Sequence, residues 1–146
     1  MKRTLVGTVL ACLALPVAAA GGGLVTRPSL YPVDDTVARV ERVAASRGLT
    51  TFARIDHAAQ AAGVGMSLRP IQLVIFGSPK GGTPMMQATP TIGIDLPLKV
   101  LAWQDAEGRV WVTYNAPDYV ANRHGLPQDL GKPLAGVAGI VDEALR

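Results

Sequence analysis

The sequence predicts an α+β fold: one compact domain with a mainly antiparallel sheet and helices packed on one face. Three observations carry this. "LKVLAWQ" and "RVWVTYN" alternate on either side of Asp105-Ala106-Glu107-Gly108, the clearest hairpin in the chain. "IQLVIF" is apolar in both strand phases apart from Gln72, so it reads as a central, well-covered strand. The element order β-α-β-α-β-α-β-β-α-α contains that hairpin, which excludes a wholly parallel doubly wound sheet.

The elements follow in order. Residues 1–20, "MKRTLVGTVLACLALPVAAA", place Lys2 and Arg3 before an apolar run that ends in small residues. That is the pattern of a secretory signal peptide cleaved near Ala20, too short and wrongly flanked for a membrane anchor. The mature chain is then expected to be periplasmic or secreted, with no stable membrane span. Cys12 loosely fits a lipoprotein box, but the apolar run continues through Leu13, Ala14 and Leu15. Cleavage near Ala20 is therefore preferred over a lipid anchor at Cys12. The mature chain would carry no cysteine, hence no disulfide and no thiol nucleophile.

Residues 21–33 read as a flexible start with a candidate strand at Leu24 to Thr26, bounded by Pro28 and Pro32 and so placed at an edge. Residues 34–146 read as the single α+β domain. "DDTVARVERVAASRGL" is a helix with Val37, Val40 and Val43 or Ala44 on one face, Asp34 or Asp35 as its cap, and Gly48 as its stop. "LTTFARID" alternates as a strand, with Thr50, Phe52 and Arg54 on one side. "HAAQAAGVG" suits a short helix, and Arg69-Pro70 forces an extended step into the central strand. "GSPKGGT" reads as a loop, with Pro84 opening a helix over "PMMQA". After the hairpin, "PDYVANRHG" gives one or two helical turns. A last helix puts Leu134, Val137, Ala138, Val141 and Leu145 on one face.

The whole chain has a formal charge of +3 from 14 basic and 11 acidic residues. Loss of Lys2 and Arg3 with the signal leaves +1, so no electrostatic footprint for nucleic acid remains.

The stretch "ARIDHAAQAAGVGMSLRPIQLVIFGSPKGGTPMMQATPTIGIDLPLKVLAWQDAEGRVWVTYN" resembles the domain-of-unknown-function 302 family. The matching motifs are Ile55-Asp56-His57, Leu68-Arg69-Pro70, Phe76-Gly77-x-Pro79, Gly82-Thr83-Pro84-x-Met86, Asp95-Leu96-Pro97 and Tyr114-Asn115. The resemblance covers about residues 34–126. The resemblance implies a small α+β domain, a dimer, and export in many bacterial members, some near sulfur or metal metabolism. It implies no reaction. Some members carry a cysteine in the loop where this chain has Ser78, so a thiol-based role does not carry over.

Pro79-Lys80-Gly81-Gly82-Thr83 looks like the opening of a phosphate loop. It lacks the second Gly-Lys-Ser/Thr unit, and Pro84 removes an N–H that would face an anion. The reading of the residues is a non-catalytic domain binding a small ligand, with an anion as one option, or a protein partner. Its expected pocket lies between the Asp56-His57 strand end and the Gly77–Thr83 loop. Arg69 and Lys80 would hold an anion, Asp56 and His57 would orient it, and Phe76, Thr83 and Met86 would complete the wall. No cofactor is expected. The alternative is a transition-metal protein or metalloenzyme using His57, His124 and Asp95, since two imidazoles and a carboxylate suit such ions. A third reading is a structural module that forms a homodimer through its sheet.

Overall fold

The computed structural model describes residues 22–146, so the expected signal peptide and Cys12 lie outside the described residues. Five antiparallel strands form one sheet: β1 (Leu24–Ser29), β2 (Thr50–Asp56), β3 (Ile71–Gly77), β4 (Leu98–Gln104) and β5 (Val110–Asn115). Their spatial order is β1-β5-β4-β3-β2. The helices are α1 (Val33–Ser46), α2 (His57–Gly63), α3 (Pro79–Ala88), α4 (Pro117–His124) and α5 (Lys132–Ala144). Short 3-10 turns at Pro90–Ile94 and Gln128–Leu130 complete the chain.

Alternation on the central strands decides where the core sits. Gln72, Val74 and Phe76 of β3 are buried, as are Val100 and Ala102 of β4 and Val112 and Tyr114 of β5. Val37, Val40 and Ala44 of α1 and Val137, Ile140 and Val141 of α5 pack over them. Such spacing puts the apolar stripe of each helix on the sheet. A second, smaller cluster joins Met85, Ile92, Val120 and Leu134, which ties α3 and α4 to α5. The opposite sheet face carries half-buried Ile55, Leu73, Ile75, Leu101, Trp103 and Trp111 and has no place in either cluster. Trp103 and Trp111 are direct cross-strand partners, with centroids 6.4 Å apart.

Three local expectations are corrected. Neither Asp34 nor Asp35 caps α1, because the helix begins at Val33 behind Pro32 with no side-chain cap. Asp34 instead accepts hydrogen bonds from Arg54 Nη2 (2.8 Å) and Gln72 Nε2 (2.6 Å). Thr51 and Arg54, not Thr50 and Arg54, share a side of β2, because the register shifts between Thr51 and Ala53 and inserts Phe52 as an extra residue. Finally, α3 starts at Pro79, so most of the expected loop is helix and Pro84 lies inside it. Pro79 has taken the first helical position, where a missing N–H costs nothing.

Candidate functional site

The site grows from the C-terminal end of β3. Gly77 ends that strand and Ser78 turns the chain into α3, its hydroxyl accepting from the Lys80 amide at 3.2 Å. The Gly81 and Gly82 amides both donate to the Ser78 carbonyl, at 3.1 and 3.0 Å. Pro79 has no N–H. The helix start therefore closes its own donors, and no cradle of amides faces outward for a phosphate.

Beside this turn lies a cleft of about 450 Å³. Leu49 and Phe52 form one side, Met85 and Met86 of α3 a second, Leu96 to Leu98 a third, and Pro133, Gly136 and Ile140 of α5 the last. The bulge in β2 explains Phe52, which is 54% exposed on a strand flanked by well-ordered pairs. The Leu96–Pro97 peptide is cis. Ser78 and Thr83 supply hydroxyls, and Arg47 is the one charged side chain on the lining. A volume in this range, mostly apolar with a few polar groups, is typical of small-molecule sites.

The antiparallel register sorts the residues expected in the site. Asp56 pairs with Gln72 and Thr50 with Gly77. The Asp56-His57 end thus lies five residues along β3 from the Gly77 turn, about 17 Å at the rise of a strand. No cleft forms between them. Thr83 and Met86 do line the cleft. Phe76 is fully buried beneath the helices instead of forming a pocket wall. Lys80 is exposed on α3. Arg69 is at the other end of the sheet, near the Gln104 carbonyl at 3.4 Å, so the two cations do not converge.

Asp56 caps α2, accepting from the Ala59 amide at 2.8 Å and from Gln72 Nε2 at 3.2 Å. Gln72 is the buried centre of a polar knot, accepting from Arg54 Nε at 2.9 Å while its amide nitrogen serves Asp34 and Asp56. His57 opens α2 beside this knot.

His124 sits at the opposite end with Asp95. Its Nε2 lies 2.6 Å from an Asp95 oxygen and its Nδ1 3.1 Å from the Thr91 hydroxyl. Arg123 joins the same carboxylate at 3.3 Å. This cluster fastens α4 to the 3-10 turn, and both imidazole nitrogens are occupied. His57 does not reach it. Among the described residues no three His, Cys, Asp or Glu side chains form a group that could hold a metal ion. Lys99 donates to the Asp95 and Pro97 carbonyls. Burial lowers its ammonium from the ordinary lysine range, and the nearby Asp95 charge opposes that.

The family described as "Domain of unknown function DUF302" matches residues 25–144. The chain belongs to the DUF302 family. The match takes in β1 and α5, beyond the stretch of about 34–126 that carries the resemblance in the sequence. A crystal structure of an uncharacterised DUF302 protein from Bacillus stearothermophilus shares the fold, with a TM-score of 0.71. The likeness covers 85% of this chain and 96% of that one at 14% identity. Two curated relatives are 48% identical over 104 residues, 71% of this chain. They are the fluoride-specific ion channels FluC 1 of Brucella suis and FluC 1 of Brucella abortus. This DUF302 chain spans about two fifths of their length, 41% and 38%. No helix among its described residues is long and apolar enough to cross a membrane.

Several cleft residues had no signal in local motifs. Phe52 is one aromatic in an alternating strand, and the bulge that exposes it depends on β3. Gly136 and Pro133 belong to the last helix, far from the loop in sequence. The clue was compositional: Gly136 and Gly139 fall three apart in α5, where small residues permit close approach.

Proposed function

We propose that this DUF302 domain is a non-catalytic binding module that takes a small apolar molecule into the cleft between β2, α3 and α5. The observation that supports the reading is the cleft itself. About 450 Å³ of space is walled mainly by Phe52, Met86, Leu96, Pro97 and Ile140, with Phe52 54% and Met86 38% exposed. Exposed aromatic and thioether groups around a concavity are what an apolar ligand would cover. In the longer Brucella relatives a segment of this kind is joined to further chain, as a binding module joined to an effector would be.

The test is a blocking substitution. A Cβ at Gly82 would meet Met86 and Leu96 at ordinary contact distances of 3.7 and 3.8 Å. Gly82→Leu should fold normally and fill the space. Nile red fluorescence should rise with wild-type protein and stay flat with Gly82→Leu; equal response from both would refute the cleft as the binding place.

A second reading, a homodimer, is favoured by the uncovered sheet face. Five strands spaced about 4.8 Å apart and about 20 Å long give a face on the order of 500 Å². Two copies face to face would bury on the order of 1,000 Å², near the lower limit for a specific interface. Light scattering should report a dimer at micromolar concentration and a monomer for Leu101→Lys. A wild-type monomer would end this reading.

The proposed setting is the periplasm or exterior, supported by the sequence of residues 1–20. N-terminal sequencing of protein recovered from an expressing bacterium should begin near Gly21; a start at Met1 would contradict it.

A further inference from the structure

We infer that the cleft selects apolar molecules bearing one carboxylate, and that Arg47 is the residue that holds this head group. The inference rests on the cleft reading above and adds the ligand's charge to it.

Arg47 follows the last turn of α1 and is the only charged side chain among the residues lining the cleft. Its guanidinium lies across α5. Nη2 donates to the Gly139 carbonyl at 3.1 Å and to Glu143 Oε2 at 2.6 Å. Gly139 makes room for it, because a Cβ there would come within 3.0 Å of Nη1. The side chain is therefore placed by the backbone of α5, and not only by its ion partner. Nε and Nη1 have no hydrogen-bond partner among the described residues. A guanidinium carries five N–H groups in a planar fork, so a carboxylate can still be met.

The resident partner is a weak competitor. The Arg47 and Glu143 side chains are 40% and 49% exposed, and ion pairs so exposed contribute little. A ligand carboxylate could share the cation or displace Glu143. The rest of the lining offers the hydroxyls of Ser78 and Thr83 and otherwise apolar surface, including Leu49, Phe52 and Ile140. That is an amphiphile's complement: an apolar body beside one cation. Among the described residues no second cation lines the cleft, which favours a monocarboxylate over a dianion such as a phosphate monoester.

Calorimetric titration of the full chain with decanoate, decanol and decyltrimethylammonium tests this. Decanoate should bind about tenfold tighter than decanol, the value of one charge-assisted hydrogen bond, and the ammonium weakest. Arg47→Gln should erase the preference for decanoate while leaving decanol unchanged. Glu143→Gln should strengthen decanoate binding. Decanol binding as well as decanoate, or a preference that survives in Arg47→Gln, overturns the Arg47 assignment and leaves the apolar cleft standing. Binding of none of the three overturns both.

Discussion

The two ends of the sheet are built from opposite chemistry. At the end where β3 begins, Asp34, Asp56, Arg54 and Gln72 satisfy one another, and Asp105 caps the β4–β5 turn. At the end where β3 finishes, Gly77 opens onto an apolar cleft. The first end holds most of the chain's sequence-visible polar motifs, yet their hydrogen-bonding groups are spent on one another. The second end has its own closed cluster, Asp95 with His124 and Arg123, but beside it the cleft lining carries few polar atoms and leaves its apolar surface open. Titratable side chains close in sequence thus did not mark the one large unfilled space among the described residues.

Substitutions can break this contrast or sharpen it. The largest effect is expected at Phe76, next to Gly77 but on the covered face of the sheet, where it is fully buried in the core shared with α1 and α5. Phe76→Ala should cost about 3–5 kcal/mol in urea unfolding, as a core cavity does. A loss below about 1 kcal/mol would mean that Phe76 is a pocket wall. Next comes the polar end. Gln72→Ala should cost about 1–3 kcal/mol, because Asp34 and Arg54 lose a buried partner. It should leave Nile red binding intact; a loss of binding would join the two ends.

A smaller effect is an acid-side pH dependence at the polar end. Burial would raise the Asp105 carboxyl. Hydrogen bonds from Trp111 and from the Arg109 backbone and side chain, with the Arg109 charge, outweigh it and hold the group at about 2. A depressed carboxyl stabilises the fold above its ordinary value near 3.8, and that contribution fades as pH falls towards 2. Asp105→Asn should flatten the stability profile between those values in thermal melts, with little change at neutral pH in the slope. A slope unchanged by the substitution would assign the acid sensitivity elsewhere. The smallest stability change is expected at the open end. Phe52→Ala should stay within about 0.5 kcal/mol of wild type, as exposed sites do, while weakening Nile red binding several-fold. Large destabilisation with unchanged binding would make Phe52 structural.

The hairpin, the central strand and the stripes of α1 and α5 were legible because their periods of two and about 3.6 survive in one dimension. The family motifs were legible as well. The site was less so. Asp56-His57 and Gly77–Thr83 flank the central strand's neighbourhood in sequence, which suggests one pocket. Antiparallel pairing of β2 with β3 sends them to opposite ends. His124 met Asp95 and Thr91 through packing of α4 on the 3-10 turn, a contact no spacing announces.

By itself the sequence determined the α+β class and most strand and helix segments, because these depend on local propensity and on apolar period, and its short motifs carried the family resemblance. Tertiary structure decided the register of β2, the bulge that exposes Phe52, and the approach of α5 to α3 that leaves a cleft beside Arg47. Those features arise from pairing and packing between distant segments. Their free energy exists only once the segments meet, so no single stretch of chain records them.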